Sequence, residues 1–146
     1  MTTKRITVIV LLLVSMCMCF SVSASAVTTN AIVDNGIAPA YEVATNPSSK
    51  LSISGQTAYC VSKTDGPNAV RITVQQTLQK YSGLLWVWND VDSANWSKTV
   101  NNSSILLSNT RSGLASGKYR LKSVFTLTKS NGETETITIY SEEKTI

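Results

Sequence analysis

Alternation of apolar and polar side chains is the dominant pattern of this chain, and segment 117–127 shows it most clearly. The positions on its apolar face are Tyr119, Leu121, Phe125 and Leu127. The positions on its polar face are Lys118, Arg120, Lys122 and Thr126. This period of two predicts a half-buried antiparallel strand. The Asn131-Gly132 pair that follows tolerates positive φ and precedes a second alternating run at 134–140, so a hairpin with a tight turn is predicted.

Further runs, separated by turn signals at intervals of roughly ten residues, bring the predicted number of strands to about seven. The longest run is 68–81, where β-branched residues and clean alternation favour a strand over the helix that composition permits at 75–81. Its hairpin partner is predicted to begin at Leu84, after a turn at Ser82-Gly83. The pattern predicts an all-β protein, in which antiparallel strands form a sandwich or a barrel.

The opening of segment 117–127, Gly117-Lys118-Tyr119, resembles the tyrosine corner of immunoglobulin-like sandwiches. In those domains the tyrosine hydroxyl binds backbone upstream, and the second cysteine of the inter-sheet disulfide lies two residues further on. Leu121 occupies that position here, and Cys60 would take the place of the first cysteine. The resemblance implies an antiparallel immunoglobulin-like β-sandwich with an apolar Cys60–Leu121 contact where the bridge would lie.

The first 26 residues are typical of a signal peptide. Lys4 and Arg5 precede the apolar run 6–14, and 24–26 supplies the small residues of a cleavage site. The run is too short for a permanent membrane span. Cleavage leaves 146 − 26 = 120 residues, which we divide into an N-terminal arm and edge segment at 27–49 and a sandwich domain at 50–146. We expect a secreted, extracellular protein without membrane contact after cleavage.

Charge and cysteine content narrow the possible partners. The processed chain carries 11 basic and 9 acidic residues, a net charge of 11 − 9 = +2, which argues against nucleic acid. Cys17 and Cys19 lie in the signal peptide behind methionines, a context that disfavours lipidation. Cys60 then has no intrachain partner, and it either is buried as a small hydrophobe or pairs with another molecule. We expect a buried, reduced Cys60 in a monomer.

Three segments carry a resemblance to a protein family. They are Ser54–Cys60 with the pattern Ser-Gly-x-x-Ala-x-Cys, Thr77–Lys80 followed by a tryptophan, and Gly117–Arg120 with the pattern Gly-x-Tyr-Arg. Together with the signal peptide, they resemble an uncharacterised family of small secreted proteins from Gram-positive bacteria. The resemblance implies an immunoglobulin-like β-sandwich and secretion, and it implies no activity.

Several chemistries are disfavoured by the residues present. The chain has no histidine, which removes Ser-His-Asp and Cys-His catalysis and histidine-based metal sites. The closest acidic pairs, Asp90 with Asp92 and Glu133 with Glu135, do not match a calcium-binding loop. We expect no metal, no cofactor and no enzymatic activity. A small hydrolase whose carboxylates are brought together by the fold remains the catalytic alternative.

Tryptophans and cations are the candidate binding groups. Trp86 and Trp88 are interpreted as core, whereas Trp96, beside Asn95 and Asp92, is either core or a platform for sugar rings. The cationic face of 117–127 would meet an acidic polymer or partner, or remain a solvated surface.

The predicted ligand-binding residues are Trp96, Asn95, Asp92, Arg120 and Lys122. The predicted structural residues are Tyr119, Cys60, Leu121, Trp86 and Trp88. The predicted function is non-catalytic binding or surface interaction, with a cell-surface glycan or another protein as partner.

Overall fold

The computed structural model describes Thr28–Thr29 and residues 41–146, so the predicted signal peptide lies outside the described residues. The strands are β1 Thr28–Thr29, β2 Thr45–Ser54, β3 Thr57–Asp65, β4 Ala69–Ser82, β5 Val87–Val100, β6 Ser104–Arg111, β7 Lys118–Lys129, β8 Thr134–Tyr140 and β9 Lys144–Thr145. Nothing in this part of the chain forms a helix long and apolar enough to cross a membrane.

The strands form two sheets that pack as a sandwich, and the predicted all-β fold is confirmed. The larger sheet has the order β1-β8-β7-β4-β5, with β9 beside the start of β7, and the smaller has the order β2-β3-β6. All pairings are antiparallel except that of β1 with β8. Leaving the two-residue strands aside, β2-β3-β6 and β8-β7-β4-β5 correspond to A-B-E and G-F-C-C′ of an immunoglobulin-type sandwich. In this order β7 is the F strand, which carries the corner tyrosine.

The predicted hairpin of β7 and β8 is present, but its loop is one residue longer than a two-residue turn. Gly132 N–H donates to the Lys129 carbonyl at 3.0 Å, and Lys129 N–H donates to the Glu133 carbonyl at 2.8 Å. Within the loop only Gly132 has positive φ, at 88°. This geometry is a type I turn followed by a left-handed glycine, the usual three-residue hairpin loop. Asn131 therefore needs no unusual backbone conformation.

The start of β7 is held by the hydroxyl of Tyr119. The ring is buried, and its hydroxyl donates to the Ala115 carbonyl at 2.5 Å, four residues upstream. This is the contact that a tyrosine corner makes. Gly117, between the two partners, has φ of 150°, where a side chain would also meet Lys80. The corner therefore depends on glycine as well as on tyrosine.

The core between the sheets consists of two apolar clusters. The first comprises Val43, Ala44, Ala69, Ile72, Val74, Ile105, Phe125, Leu127 and Ile137. The second comprises Leu51, Ala58, Cys60, Leu78, Ala94, Leu114, Tyr119, Leu121 and the half-buried residues around them. Cys60 and Leu121 thus share one apolar cluster. Each cluster is continuous across both sheets, and the boundary between them falls at the same level on β3, β4 and β7.

A layer of buried polar side chains occupies that boundary. The amide of Gln76 donates to Ser62 Oγ at 2.7 Å and to the Leu107 carbonyl at 2.9 Å. Ser62 Oγ lies 2.6 Å from Ser123 Oγ, which donates to Ser49 Oγ at 2.8 Å. These bonds connect β4 and β7 of the larger sheet with β2, β3 and β6 of the smaller sheet. The layer therefore joins the two sheets with hydrogen bonds where the rest of the interior joins them with apolar contacts.

The sandwich begins earlier than the predicted boundary at residue 50, because β2 starts at Thr45. Val43 and Ala44 are already buried, and the Glu135 carboxylate accepts N–H bonds from Glu42, Val43 and Ala44 at 2.8–3.0 Å. Pro47, within the predicted arm and edge segment, lies in β2 beside a register shift. It is tolerated there because β2 is an edge strand, which leaves one backbone side unpaired.

We predict that Tyr119→Phe lowers the free energy of unfolding by about 0.5–1.5 kcal/mol, because it removes the single hydroxyl bond to Ala115. Chemical denaturation measures the change as a shifted midpoint with an unchanged slope. Tyr59→Phe is the matched control, since Tyr59 is exposed and its hydroxyl has no hydrogen-bond partner among the described residues. Equal midpoints for the wild type and Tyr119→Phe would contradict the corner assignment.

We predict that Gln76→Met, which keeps the side-chain length, lowers the free energy of unfolding by about 1–3 kcal/mol. It removes the donors that Ser62 and the Leu107 carbonyl accept, and those groups have little water to replace them. Gln75→Met is the control, because the neighbouring Gln75 is exposed on the opposite face of β4. Thermal and chemical melts that rank the two variants equally would contradict a stabilising role for the polar layer.

Candidate functional site

The outward face of the larger sheet carries the candidate site, and strand register determines which residues meet there. Arg120 of β7 pairs with Gln79 of β4, which in turn pairs with Asp90 of β5. Paired residues on neighbouring strands share a face, so these three side chains form one row across the sheet. The next row toward the β4–β5 turn contains Tyr81 and Trp88.

Arg120 lies between two aromatic rings. Its Cζ is 4.3 Å from the ring centroid of Trp88 and 4.1 Å from that of Tyr140. Its Nε donates to Gln79 Oε1 at 2.9 Å, and Gln79 Nε2 donates to Asp90 Oδ1 at 2.9 Å. Burial lowers the pKa of Arg120, while Tyr140 and Glu143 oppose that shift, and an arginine stays charged in any case. The guanidinium is therefore a cation with a fixed plane.

Two further contacts extend this arrangement. Tyr81 packs against Trp88 with ring centroids 5.2 Å apart. Lys118 Nζ lies 5.7 Å from the centroid of Tyr81 and forms an ion pair with Glu143 at 2.9 Å. We call the surface made by Tyr81, Trp88, Arg120 and Tyr140 the aromatic–arginine face. It is a planar patch on a sheet, not a cavity.

The predicted ligand-binding residues do not form a single site. Trp96 pairs with Gln76, so its side chain points inward, and it packs against the second apolar cluster. Arg120 and Lys122 lie on the opposite, outward face of the sheet, and Asn95 shares that face because it occupies the same row as Lys122. Asp92 is exposed at the irregular part of β5, where the register shifts. The predicted platform at Trp96 is therefore wrong in orientation.

The predicted core position of Trp86 is also wrong. Trp86 is 82% exposed and has φ of 57°, and it lies in the turn between β4 and β5. Ser82 pairs with Val87, so the turn contains four residues, 83–86, and not two. Leu84 consequently belongs to the turn and does not begin the strand. Trp88 is half-buried, but its contacts with Tyr81 and Arg120 lie on the outward face and not between the sheets.

Several groups that could serve in catalysis have structural partners or are buried. Cys60 is a free thiol in the second apolar cluster, and burial raises its pKa to about 12. Glu135 holds the backbone of 42–44, and Glu133 forms an ion pair with Lys129 at 3.2 Å. Asp90 accepts the Gln79 amide. Within 41–146 there is no group of three His, Cys, Asp or Glu side chains that could hold a metal ion.

A groove of about 500 Å³ lies between β2, β3 and the C-terminal segment. Its charged lining includes Glu142 and Lys144, which form an ion pair with each other at 2.9 Å. Tyr59 and Val61 supply much of the remaining wall. Lys50 also lines the groove and has no ion pair among the described residues, but no cation of the groove is held between two aromatic rings as Arg120 is.

We predict that Cys60 in the folded protein resists alkylation by iodoacetamide at about pH 8, because the thiolate is the reactive form and burial disfavours it. Unfolding in guanidinium should restore full labelling. Mass mapping of the peptide that contains Cys60 measures both states. Rapid labelling of the native protein would show that the thiol is accessible.

The same raised pKa predicts a pH dependence of stability. The buried thiol favours its protonated form in the folded state, so its contribution is complete below the ordinary thiol pKa and is lost as pH rises toward about 12. The decline in the free energy of unfolding over that alkaline range should be shallower for Cys60→Ala than for the wild type. Identical slopes would show that other groups account for the whole decline.

No protein-family profile matches the chain, and no curated protein does so either. Among solved structures, the chain is similar to wild-type OgpA from Akkermansia muciniphila in two crystal forms. One superposition has a TM-score of 0.38 at 15% identity and covers 68% of this chain and 29% of the other. The second has a TM-score of 0.39 at 13% identity and covers 73% of this chain and 31% of the other. The chain thus spans less than a third of the length of OgpA.

Proposed function

We propose that this protein is a secreted, non-catalytic binding module whose aromatic–arginine face holds an acidic glycan or cell-wall polymer. The single observation that carries the proposal is the position of Arg120, held between the rings of Trp88 and Tyr140. A solvated surface cation would move freely, whereas this one is fixed in orientation. A fixed guanidinium is suited to recognising a planar anion.

The donors of Arg120 are only partly used within the protein. Its Nε binds Gln79, and no residue of the described chain accepts a hydrogen bond from its two terminal nitrogens. Those nitrogens present parallel N–H groups that match the two oxygens of a carboxylate or phosphate. Because the stacked side chain has already lost its rotamer freedom, binding an anion costs little further entropy. The proposed contact is therefore a bidentate bond from Arg120 to an acidic group on the polymer.

Neighbouring side chains supply the remaining contacts for a sugar polymer. Lys122 pairs with Tyr140 across β7 and β8 and has no ion pair within the described residues. Tyr140 is 47% exposed, which leaves ring surface for the C–H face of a sugar. Asn95 follows in the row of Lys122 and offers a hydrogen-bonding amide. A second acidic group one sugar further along would then meet Lys122.

The non-catalytic part of the proposal rests on the residues available for chemistry. The chain has no histidine, and Cys60 is buried with its thiol strongly protonated. The acidic pairs singled out in the sequence have structural partners at Asp90, Glu133 and Glu135. Secretion is supported by the pattern of residues 1–26, and the resemblance to secreted Gram-positive proteins favours a wall polymer as ligand. We propose that the module acts as a monomer.

The test is binding to polygalacturonate, with neutral dextran as the uncharged comparison, measured by affinity electrophoresis and calorimetry. Arg120→Gln should weaken polygalacturonate binding by roughly tenfold or more, because a charged hydrogen-bonded contact contributes about 1.5–3 kcal/mol. Raising the salt concentration should weaken it as well.

Arg71→Gln is the matched control, since Arg71 is an exposed cation on β4, some distance from the aromatic–arginine face. If Arg71→Gln and Arg120→Gln weaken binding equally, the interaction reflects overall charge and the site is not at Arg120. Binding to dextran that matches binding to polygalacturonate would contradict recognition of an acidic group.

A further inference from the structure

The turn between β4 and β5 ends in a contiguous apolar tip. Leu84 is 90% exposed, Leu85 66%, Trp86 82% and Val87 42%. Single exposed apolar residues are common on proteins, but a run of four at the end of a protruding hairpin is not. Hairpin turns ordinarily consist of glycine, asparagine, aspartate or serine. The tip therefore departs from what the turn itself requires.

The tip contributes little to the fold. Its side chains are absent from both apolar clusters, and the strands behind it are joined by backbone pairing from Ser82 with Val87 onward. Of its four turn residues only Gly83 has the small side chain that turns favour. A role in folding thus leaves Leu84, Leu85 and Trp86 unexplained, whereas a contact outside the protein would use all three.

Aromatic and charged side chains lie directly behind the tip. The first row holds the aromatic pair Tyr81 and Trp88, and Trp88 follows the tip residue Trp86 by two positions along the chain. At the same level Lys118 lies over the ring of Tyr81, and Lys80 lies over the ring of Tyr119. Glu143, paired with Lys118, and Asp90, bound to Gln79, are the acidic groups in this region.

We propose that this tip inserts into the boundary between headgroups and acyl chains of a lipid bilayer. Apolar side chains at the tip, followed by a level that holds tryptophan, tyrosine and lysine together, match the way a bilayer interface accommodates residues with decreasing depth. Lys118, beside its partner Glu143, keeps its charge in the headgroup layer, and Lys80, which has no ion pair among the described residues, contacts anionic lipid. The expectation of no membrane contact after cleavage concerned segments that span a bilayer. Insertion of a hairpin tip at the bilayer surface requires no spanning segment, so this proposal departs from that expectation.

A lipid surface fits the tip better than a protein partner or a second copy of the chain. A stable protein interface involves roughly 20–30 residues on each side, whereas the tip presents four. The tip is also a hairpin turn with exposed side chains, and a bilayer accommodates such a turn without a preformed pocket. Tyr81 and Trp88 belong to both surfaces, but Leu84 and Leu85 lie outside the aromatic–arginine face, so substituting them tests the tip separately from the acidic-polymer site.

The experiment is co-sedimentation of the exported, processed protein with vesicles of phosphatidylcholine, with and without phosphatidylglycerol. The wild type should bind, more tightly to the anionic vesicles, and tryptophan emission should shift to the blue as Trp86 leaves water. The double variant Leu84→Asn/Leu85→Asn should bind at least about tenfold more weakly, because two apolar side chains no longer leave water. Both leucines are exposed, so unchanged melting would show that the variant folds.

Leu106→Asn is the matched control, because Leu106 is 55% exposed on β6 of the other sheet and should leave vesicle binding unchanged. Vesicle binding that is absent in the wild type, or equal in the double variant, would overturn the proposal. Light scattering then measures whether the tip forms a dimer contact instead. A dimer that the double variant abolishes, without any lipid effect, would assign the tip to a second copy of the chain and also overturn the proposal.

Discussion

The structure depends most on a directed chain of hydrogen bonds across its interior. Ser123 uses its single hydroxyl hydrogen for Ser49, so the short contact between Ser62 and Ser123 must be donated by Ser62. Ser62 in turn accepts from Gln76, and Ser49 donates to the Leu121 carbonyl. Each hydroxyl therefore donates once and accepts once, so the members of the chain satisfy one another. A one-residue slip of β4 or β7 would turn Gln76 or Ser123 outward and break the chain, so this layer specifies register where apolar contacts alone would tolerate alternatives.

The sequence predicts the strands well because alternation is a local property. The two faces of β7 follow directly from its period, and the burial of Tyr119, Leu121, Phe125 and Leu127 agrees with it. A signal for the polar layer was also present, since Gln76 occupies an inward position between Val74 and Leu78. What the period cannot reveal is an irregularity in the strand. Val70 is assigned to the inward face by alternation but is exposed, because the register shifts between Ala69 and Arg71.

The candidate site was predictable only in part, because it is assembled by pairing between strands. Arg120 and Lys122 are identifiable as an outward cationic row from one segment alone. Their aromatic neighbours come from β5 and β8, and the position of Trp88 beside Arg120 depends on the four-residue turn. Trp86 and Trp88 are two residues apart and so resemble one face of a strand, but the turn ends between them. The sequence alone contains no rule that places that boundary.

The thiol of Cys60, packed in the same apolar cluster as Leu121, has a consequence for how this protein is made. Immunoglobulin domains that carry a disulfide at this place complete it after translocation, with an oxidant and often an isomerase. A single cysteine in that position frees maturation from any such catalyst, because no covalent step separates the collapsed chain from the finished sandwich. Within the described residues the sandwich contains no disulfide, so reducing conditions leave no bond there to break.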